Sequence, residues 1–183
     1  MPDLAASARQ RPGRIAIAIT GLGSVSHLGT ELFQATAGIK LVAVPYRGAS
    51  PAMTDLLGGT LDGLFGDGPT VLAHIAAGRI KALAATSSRR SEVFPDVPTF
   101  VEQGFDVAVD QWAGVLAPRT PAAIIVRLNA GIAAVMNDPA VRARLAQTGT
   151  VPAPDSPEHF GQYLRDEYAR WGRIIREKGI KGE

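Results

Sequence analysis

Residues 15–38 read IAIAITGLGSVSHLGTELFQATAG, and the fold follows from how that stretch is divided. Ile15 to Ile19 alternates isoleucine with alanine, a pattern that suits a strand buried on both faces. Thr20 to Ser26 is a loop of small residues. Leu28, Leu32 and Ala35 then recur at helical spacing, and Gly38 is a natural helix stop. Outward from this unit the same order repeats. Leu41 to Val44 predicts a second strand, Pro45 to Ala49 a loop, and Ser50 with Pro51 an N-cap and first helical residue, with Gly58-Gly59 as the stop. Leu61 to Phe65 predicts a third strand, Gly66-Asp67-Gly68 its turn, and Pro69 the opening of a helix that carries Leu72 and Ile75 and stops at Gly78. Ile80 to Ala85 predicts a fourth strand. Strands that alternate with helices imply a parallel sheet with right-handed crossovers, so the fold class is α/β.

The second half has a different pattern. Val107 to Leu116 reads as a long extended segment containing Trp112. Thr120-Pro121 opens a helix with Ile124, Leu128, Ile132 and Val135 on one face, and Asp138-Pro139 opens another carrying Val141 and Leu145. Ser156-Pro157 opens the last, with Phe160, Leu164, Trp171 and Ile175 along one side. These amphipathic helices need a sheet or a partner to cover them.

Composition narrows the classes of function. Of the 183 residues, 46% are apolar and 20% charged, which is the profile of a folded globular protein rather than a disordered one. Nine basic and seven acidic residues precede Val101, and ten of each follow, so no basic block marks a nucleic-acid footprint. There is no cysteine, and His27, His74 and His159 lack metal-ligand spacing, so neither thiolate chemistry nor a zinc site is expected. The segment MPDLAASARQRPGR has no apolar core and does not read as a secretory signal, which points to the cytoplasm if Met1 is the true start.

In a parallel sheet the loops Gly21–Ser26, Arg47–Ser50 and Gly66–Gly68 would share one edge. Each leads into a helix N-terminus, where unpaired N–H groups favour an anion. Ser24, Ser26 and Ser50 would add hydroxyl donors, making a cradle for a carboxylate or phosphate; ordinary turns and caps would give the same residues. Catalysis has less support. Asp67 stands alone as a carboxylate, and His27 beside Ser24 and Ser26 lacks an orienting third group, so it reads as a polar contact or a cap. Tyr46 ends a strand beside the same edge, and His74 and His159 read as surface or packing residues. Gly21-Leu-Gly23-Ser-Val-Ser26 approximates a dinucleotide fingerprint, with Arg47 placed for a 2′-phosphate, but its last glycine is replaced and Pro45-Tyr46 interrupts the second strand end. An NADP-binding fragment is therefore the less favoured reading.

Val44 to Gly59, read as V-P-Y-R-G-A-S-P-A-M-T-D-L-L-G-G, resembles the signature of the Bug (TctC-like) solute-binding proteins of tripartite tricarboxylate transporters. Gly21 to Leu28, Ile75 to Ser87, Pro95 to Gly104, and Trp112 with Gly114 to Pro118 and Arg127 to Asn129 continue the resemblance in order. It implies a periplasmic-binding-protein-like (Venus flytrap) second lobe with a parallel-rich sheet, and a non-enzymatic function, without metal or cofactor, of binding a small carboxylate and delivering it to transporter membrane subunits. By resemblance the location is periplasmic. The ligand-binding residues it implies are Gly23, Ser24, Ser26 and His27 in the first loop. Tyr46, Gly48, Ala49, Ser50, Pro51 and Ala52 follow in the second, with Asp67 and Gly68 in the third. Nothing here matches the family's signal peptide or its first lobe. The expected organisation is thus a ligand-binding lobe over residues 1–106, then, over 107–183, a hinge-crossing segment and C-terminal helices that in the family pack on the missing first lobe. Such a chain would bind a carboxylate weakly or act as a non-binding remnant associated with another chain, for instance as a homodimer through the C-terminal helices.

Overall fold

The computed structural model describes residues 1–178, which divide into two units, residues 1–111 and residues 112–177. In the first, α1 (Pro2–Gln10), β1 (Ala16–Ile19), α2 (Val25–Ala37), β2 (Val42–Pro45), α3 (Ala49–Leu57), β3 (Gly63–Leu64) and α4 (Gly68–Ala76) follow in order, with a single 3-10 turn at Val101–Gln103. The strands form one parallel sheet in the order β2-β1-β3, with Ala16 opposite Val42 and Ile17 opposite both Ala43 and Gly63. The expected strand–helix alternation is therefore realised.

The small and large residues of β1 face different neighbours, as strand pleating requires. Ala18 packs with Ala52 of α3 and with Leu61, and Ala16, Val44, Tyr46, Leu56 and Leu64 surround them. Ile17 and Ile19 point the other way, at 3% and 0% exposure. A second apolar group centres on Phe33 of α2, which meets Phe100 and Phe105 edge-on at 5.1 and 5.4 Å between ring centroids, while Phe65 stacks on Phe100 at 5.8 Å. Edge-to-face pairs of this kind add about 0.5–1.5 kcal/mol to the area they bury. α2 stops where expected, at Gly38, in the left-handed conformation (φ 61°, ψ 45°).

Four details differ from the sequence reading. Residues 2–10, which the pattern left unassigned, form α1, anchored by the fully buried Ala5 and Ala8 and by Arg9, whose guanidinium donates to the Ala37 carbonyl at 2.8 Å. The third strand contracts to Gly63 and Leu64. A Cβ on Gly63 would stand 2.8 Å from Ile17 Cδ1, so glycine there permits the close approach of β1. The fourth run, Ile80–Ala85, forms no strand and makes a lone bridge from Ala85 to Thr99. That bridge brings the adjoining Phe100 into contact with Phe33 and Phe65, and burial of a large ring outweighs a few more ladder bonds on a two-residue edge. Finally, α3 begins two residues earlier than the Ser50-Pro51 pattern suggests, with Gly48 as its N-cap.

The second unit holds α5 (Ala122–Asn137), α6 (Pro139–Ala146) and α7 (Pro157–Lys178). Asp138 caps α6 by accepting from the amides of Ala140 and Val141 at 2.8 and 3.1 Å. Asn129 on α5 donates to the Asp155 carbonyl just before α7 at 2.7 Å, and Trp112 lies edge-on to Phe160 and Tyr163. The face of α5 read from the sequence stays largely in solvent: Ile124, Leu128 and Val135 are each about half exposed, and Val115 and Leu116 more so, at 75% and 72%. Among the described residues no single helix is long and apolar enough to cross a membrane.

Candidate functional site

Because β1, β2 and β3 are parallel, the loops that follow them leave the same edge of the sheet. Strand order reverses at β1, since the chain passes from β1 to β2 on one side and then to β3 on the other. Ligands in open α/β sheets favour the crevice at such a reversal. The three loops there differ in how they use their own polar groups.

The first loop spends its serine hydroxyls and its histidine ring on its own backbone. Ser24 caps α2 by accepting from the His27 amide at 3.3 Å, and its hydroxyl donates to the Gly21 carbonyl at 2.7 Å. Ser26 is buried. Its Oγ accepts from the Thr20 amide at 2.8 Å and lies 2.8 Å from Ser24 Oγ and 3.0 Å from Thr20 Oγ1. The Gly23 amide donates to His27 Nδ1 at 3.0 Å. The expectation that both serines offer spare donors is thus corrected: each hydroxyl is already engaged in shaping the loop.

The third loop is also capped. Asp67 accepts from the Thr70 amide at 3.0 Å, and Gly68 is the first residue of α4. Asp67 therefore serves as a helix cap in this arrangement, with Pro69 one residue inside the helix, where its missing N–H costs nothing.

The second loop is the open one. Gly48 sits at φ 99°, ψ 175°, a region that side chains other than glycine's rarely enter, and α3 has no side-chain cap. Ala49, Ser50 and Pro51 form the first turn beyond it. Ser50 is exposed, and its carbonyl accepts from Thr54 Oγ1 at 3.2 Å. Ala52 is fully buried against β1, so it fixes the helix rather than facing solvent. Tyr46 does not present a free hydroxyl, because it donates to Asp55 Oδ2 at 2.6 Å. That bond to a carboxylate, with some desolvation, raises the phenol above its ordinary range. It ties the end of β2 to the second turn of α3 and so brackets Gly48.

Beyond Ser50 an open groove of about 360 Å³ runs between α3 and α4, lined by Met53, Thr54, Leu57, Pro69, Thr70 and His74. His74 Nδ1 is buried there without a partner. The sequence reading assigned His74 to surface or packing and did not reach this groove. The signal for it was the spacing of Ser50, Thr54 and Leu57 on one face of α3. Asp55 was likewise missed as the partner of Tyr46.

The chain is similar to known proteins by three kinds of likeness. The family model described as "Tripartite tricarboxylate transporter family receptor" matches residues 1–180. Protein BugT of Bordetella pertussis is 41% identical over 180 residues, covering 97% of this chain and 55% of that protein. A UPF0065 protein of Pseudomonas sp. strain P51, from the tcbD-tcbE intergenic region, is 38% identical over 180 residues, 96% of this chain and 53% of that one. The chain thus spans about half the length of these curated relatives. Among solved structures, R. palustris Rpa4515 with adipate superposes with a TM-score of 0.86 at 33% identity, covering all of this chain and 62% of that one. MatC (Rpa3494) from Rhodopseudomonas palustris, with bound malate, gives 0.78 at 29% identity over 96% of this chain and 61% of that one.

Proposed function

This chain belongs to the family of tripartite tricarboxylate transporter receptors, and on that premise we propose that it binds a small carboxylate at the N-terminus of α3. The observation that carries this reading is the contrast among the three helix starts. α2 and α4 are capped by Ser24 and Asp67, whereas α3 leaves its first N–H groups without a side-chain acceptor behind a glycine that keeps the approach clear. Unpaired N–H groups at the positive end of a helix suit a carboxylate. Gly48, Ala49 and Ser50 are the contact residues in this proposal, with the Ser50 hydroxyl as an added donor. Gly23, Ser24, Ser26, His27, Tyr46, Asp67 and Gly68 shape the edge around them, and Pro51 and Ala52 seat the helix.

The activity is binding, without chemistry. Its setting is extracytoplasmic, with transporter membrane subunits as the recipients of the solute. Residues 1–106 act as the ligand-binding lobe, and residues 107–183 supply the hinge-crossing segment and the helices that face a further lobe. The solvent exposure of Ile124, Leu128, Val135, Val115 and Leu116 favours that assignment. It equally favours a second reading, in which the chain associates with another chain through this apolar face, a homodimer included.

Calorimetric titration with adipate, malate and NADP tests the first reading. Weak saturable binding of a dicarboxylate is expected, of millimolar order or about 4 kcal/mol, and Gly48→Ala or Ser50→Ala is expected to reduce it. Saturable binding of NADP with no response to either dicarboxylate overturns it. Light scattering tests the second, which fails if the chain is a monodisperse monomer at all concentrations.

A further inference from the structure

The start of α2 contains an arrangement in which histidine takes the place usual for glutamate or glutamine. In a capping box, the N-cap hydroxyl accepts from the amide three residues on, and the side chain of that third residue accepts from an amide at the helix entrance. Here Ser24 Oγ accepts from the His27 amide at 3.3 Å, and His27 Nδ1 accepts from the Gly23 amide at 3.0 Å. An imidazole that accepts at Nδ1 carries its proton on Nε2. That nitrogen lies 3.9 Å from Glu31 Oε1, and the two side chains are only 12% and 25% exposed. Glu31 Oε1 in turn accepts from Gln34 Nε2 at 2.8 Å, and Gln34 Oε1 accepts from the Leu41 amide at 2.7 Å, immediately before β2. Residues 27, 31 and 34 share one face of α2. The result is a polar chain from the Gly23 amide, through three side chains, to the entrance of the next strand.

We infer that His27 is a positioning residue: through the Gly23 amide it holds the loop Gly21–Ser24 in the shape that borders the carboxylate site, and it does so only as a neutral imidazole. A ring protonated on Nδ1 would set one N–H against another, so the Gly23 bond is lost and the loop is released. Among the described residues the ring's partners are the Gly23 amide from the loop and the Glu31 carboxylate from its own helix. The corresponding cap of α4 uses the Asp67 carboxylate, which accepts from the Thr70 amide at 3.0 Å. One edge of the sheet therefore carries one cap that needs an unprotonated ring nitrogen and one that uses a carboxylate. The consequence for binding rests on the carboxylate reading above; the consequence for the loop does not.

The experiment is amide hydrogen exchange of the ¹⁵N-labelled full chain, corrected for intrinsic rates, at about pH 8 and about pH 5.5, on either side of the range in which imidazoles change charge. Adipate titrations accompany it under the same conditions. At the higher pH the Gly23 amide is expected to be about tenfold more protected than in His27→Ala, the size of one net hydrogen bond. His27→Asn keeps a neutral acceptor near the Nδ1 position, so it restores protection and abolishes its pH dependence. The Thr70 amide serves as the internal reference and stays unchanged in all three proteins. Equal Gly23 protection in the parent chain and His27→Ala overturns the inference, as does a His27→Asn protein that still loses protection in acid. If the exchange pattern appears but adipate binds no variant, the positioning role stands and the carboxylate reading falls.

Discussion

Gly48→Ala isolates the conformational demand at the start of α3. A Cβ added to Gly48 meets nothing within 4 Å, so the substitution introduces no clash. What it introduces is backbone strain, because φ 99° with ψ 175° lies in a region open almost only to glycine. Holding another residue there costs about 1–3 kcal/mol. For a chain of this size each kcal/mol moves the melting midpoint by roughly 2–4 °C, so a fall of about 2–12 °C is expected by calorimetry or circular dichroism. Gly59→Ala supplies the comparison, since Gly59 also has positive φ (76°) and open space around it but stands at the far end of α3. Both variants lose stability; Gly48→Ala alone is expected to lose dicarboxylate binding, because relaxing φ swings the first N–H groups of α3 away from their common direction. A Gly48→Ala protein with parental melting temperature and parental adipate affinity would refute the reasoning. So would an equal loss of affinity in the Gly59→Ala protein.

Three further outcomes are expected. Phe33→Ala removes a fully buried ring that two other phenylalanines pack against edge-on, and should cost about 3–5 kcal/mol in denaturant titration; a loss under 1 kcal/mol would show that the site collapses around the gap. Glu102 accepts from the Thr99 amide at 2.7 Å and from Arg90, and these bonds hold its carboxyl below the usual range. A depressed folded-state value contributes stability above the unfolded value and loses it as pH falls through the folded one. Glu102→Gln should therefore flatten the acid limb of the stability curve, which an unchanged limb would contradict. Leu128→Asp with Val135→Asp alters residues already half in solvent, so stability should stay within about 0.5 kcal/mol while any concentration-dependent scattering declines; scattering that ignores the change would remove α5 as a contact face.

The sequence made the α/β class legible because its signals were local. The alternation of Ile15 to Ile19, the glycine after each helix and the Asp138-Pro139 cap each depend on a few neighbouring residues, and each appears where it was read. What escaped the reading depends on distant pairs or on the exact course of the backbone. Ile80 to Ala85 has a strand-like composition, but its partner was decided by where Phe100 could be buried, which no local window contains. Ser24 and Ser26 are visible as hydroxyls; that they bond to each other is a property of the turn between them. Ser50-Pro51 looks like a helix start by composition, whereas the helix begins at Ala49 behind Gly48, whose backbone angle leaves no trace in a list of propensities. His27 was legible as a polar contact or a cap, and it is one; that its ring takes the Gly23 amide was not legible.

The ring of Phe33 must wait for its cover. Phe100 lies 67 residues further along the chain, from 33 to 100. At the usual ribosomal pace of about 5–20 residues per second, the wait is roughly 3–13 s. During that interval β1, α2, β2 and α3 can already have emerged, but the face of α2 that carries Phe33 remains open to solvent and to any chaperone that binds exposed aromatics. A nascent chain stalled before Phe100 clears the exit tunnel should accordingly be cut by protease within α2, and one stalled well past Val109 should resist. Closure of this unit is thus set by the arrival of its last aromatic segment, long after its strands have been made.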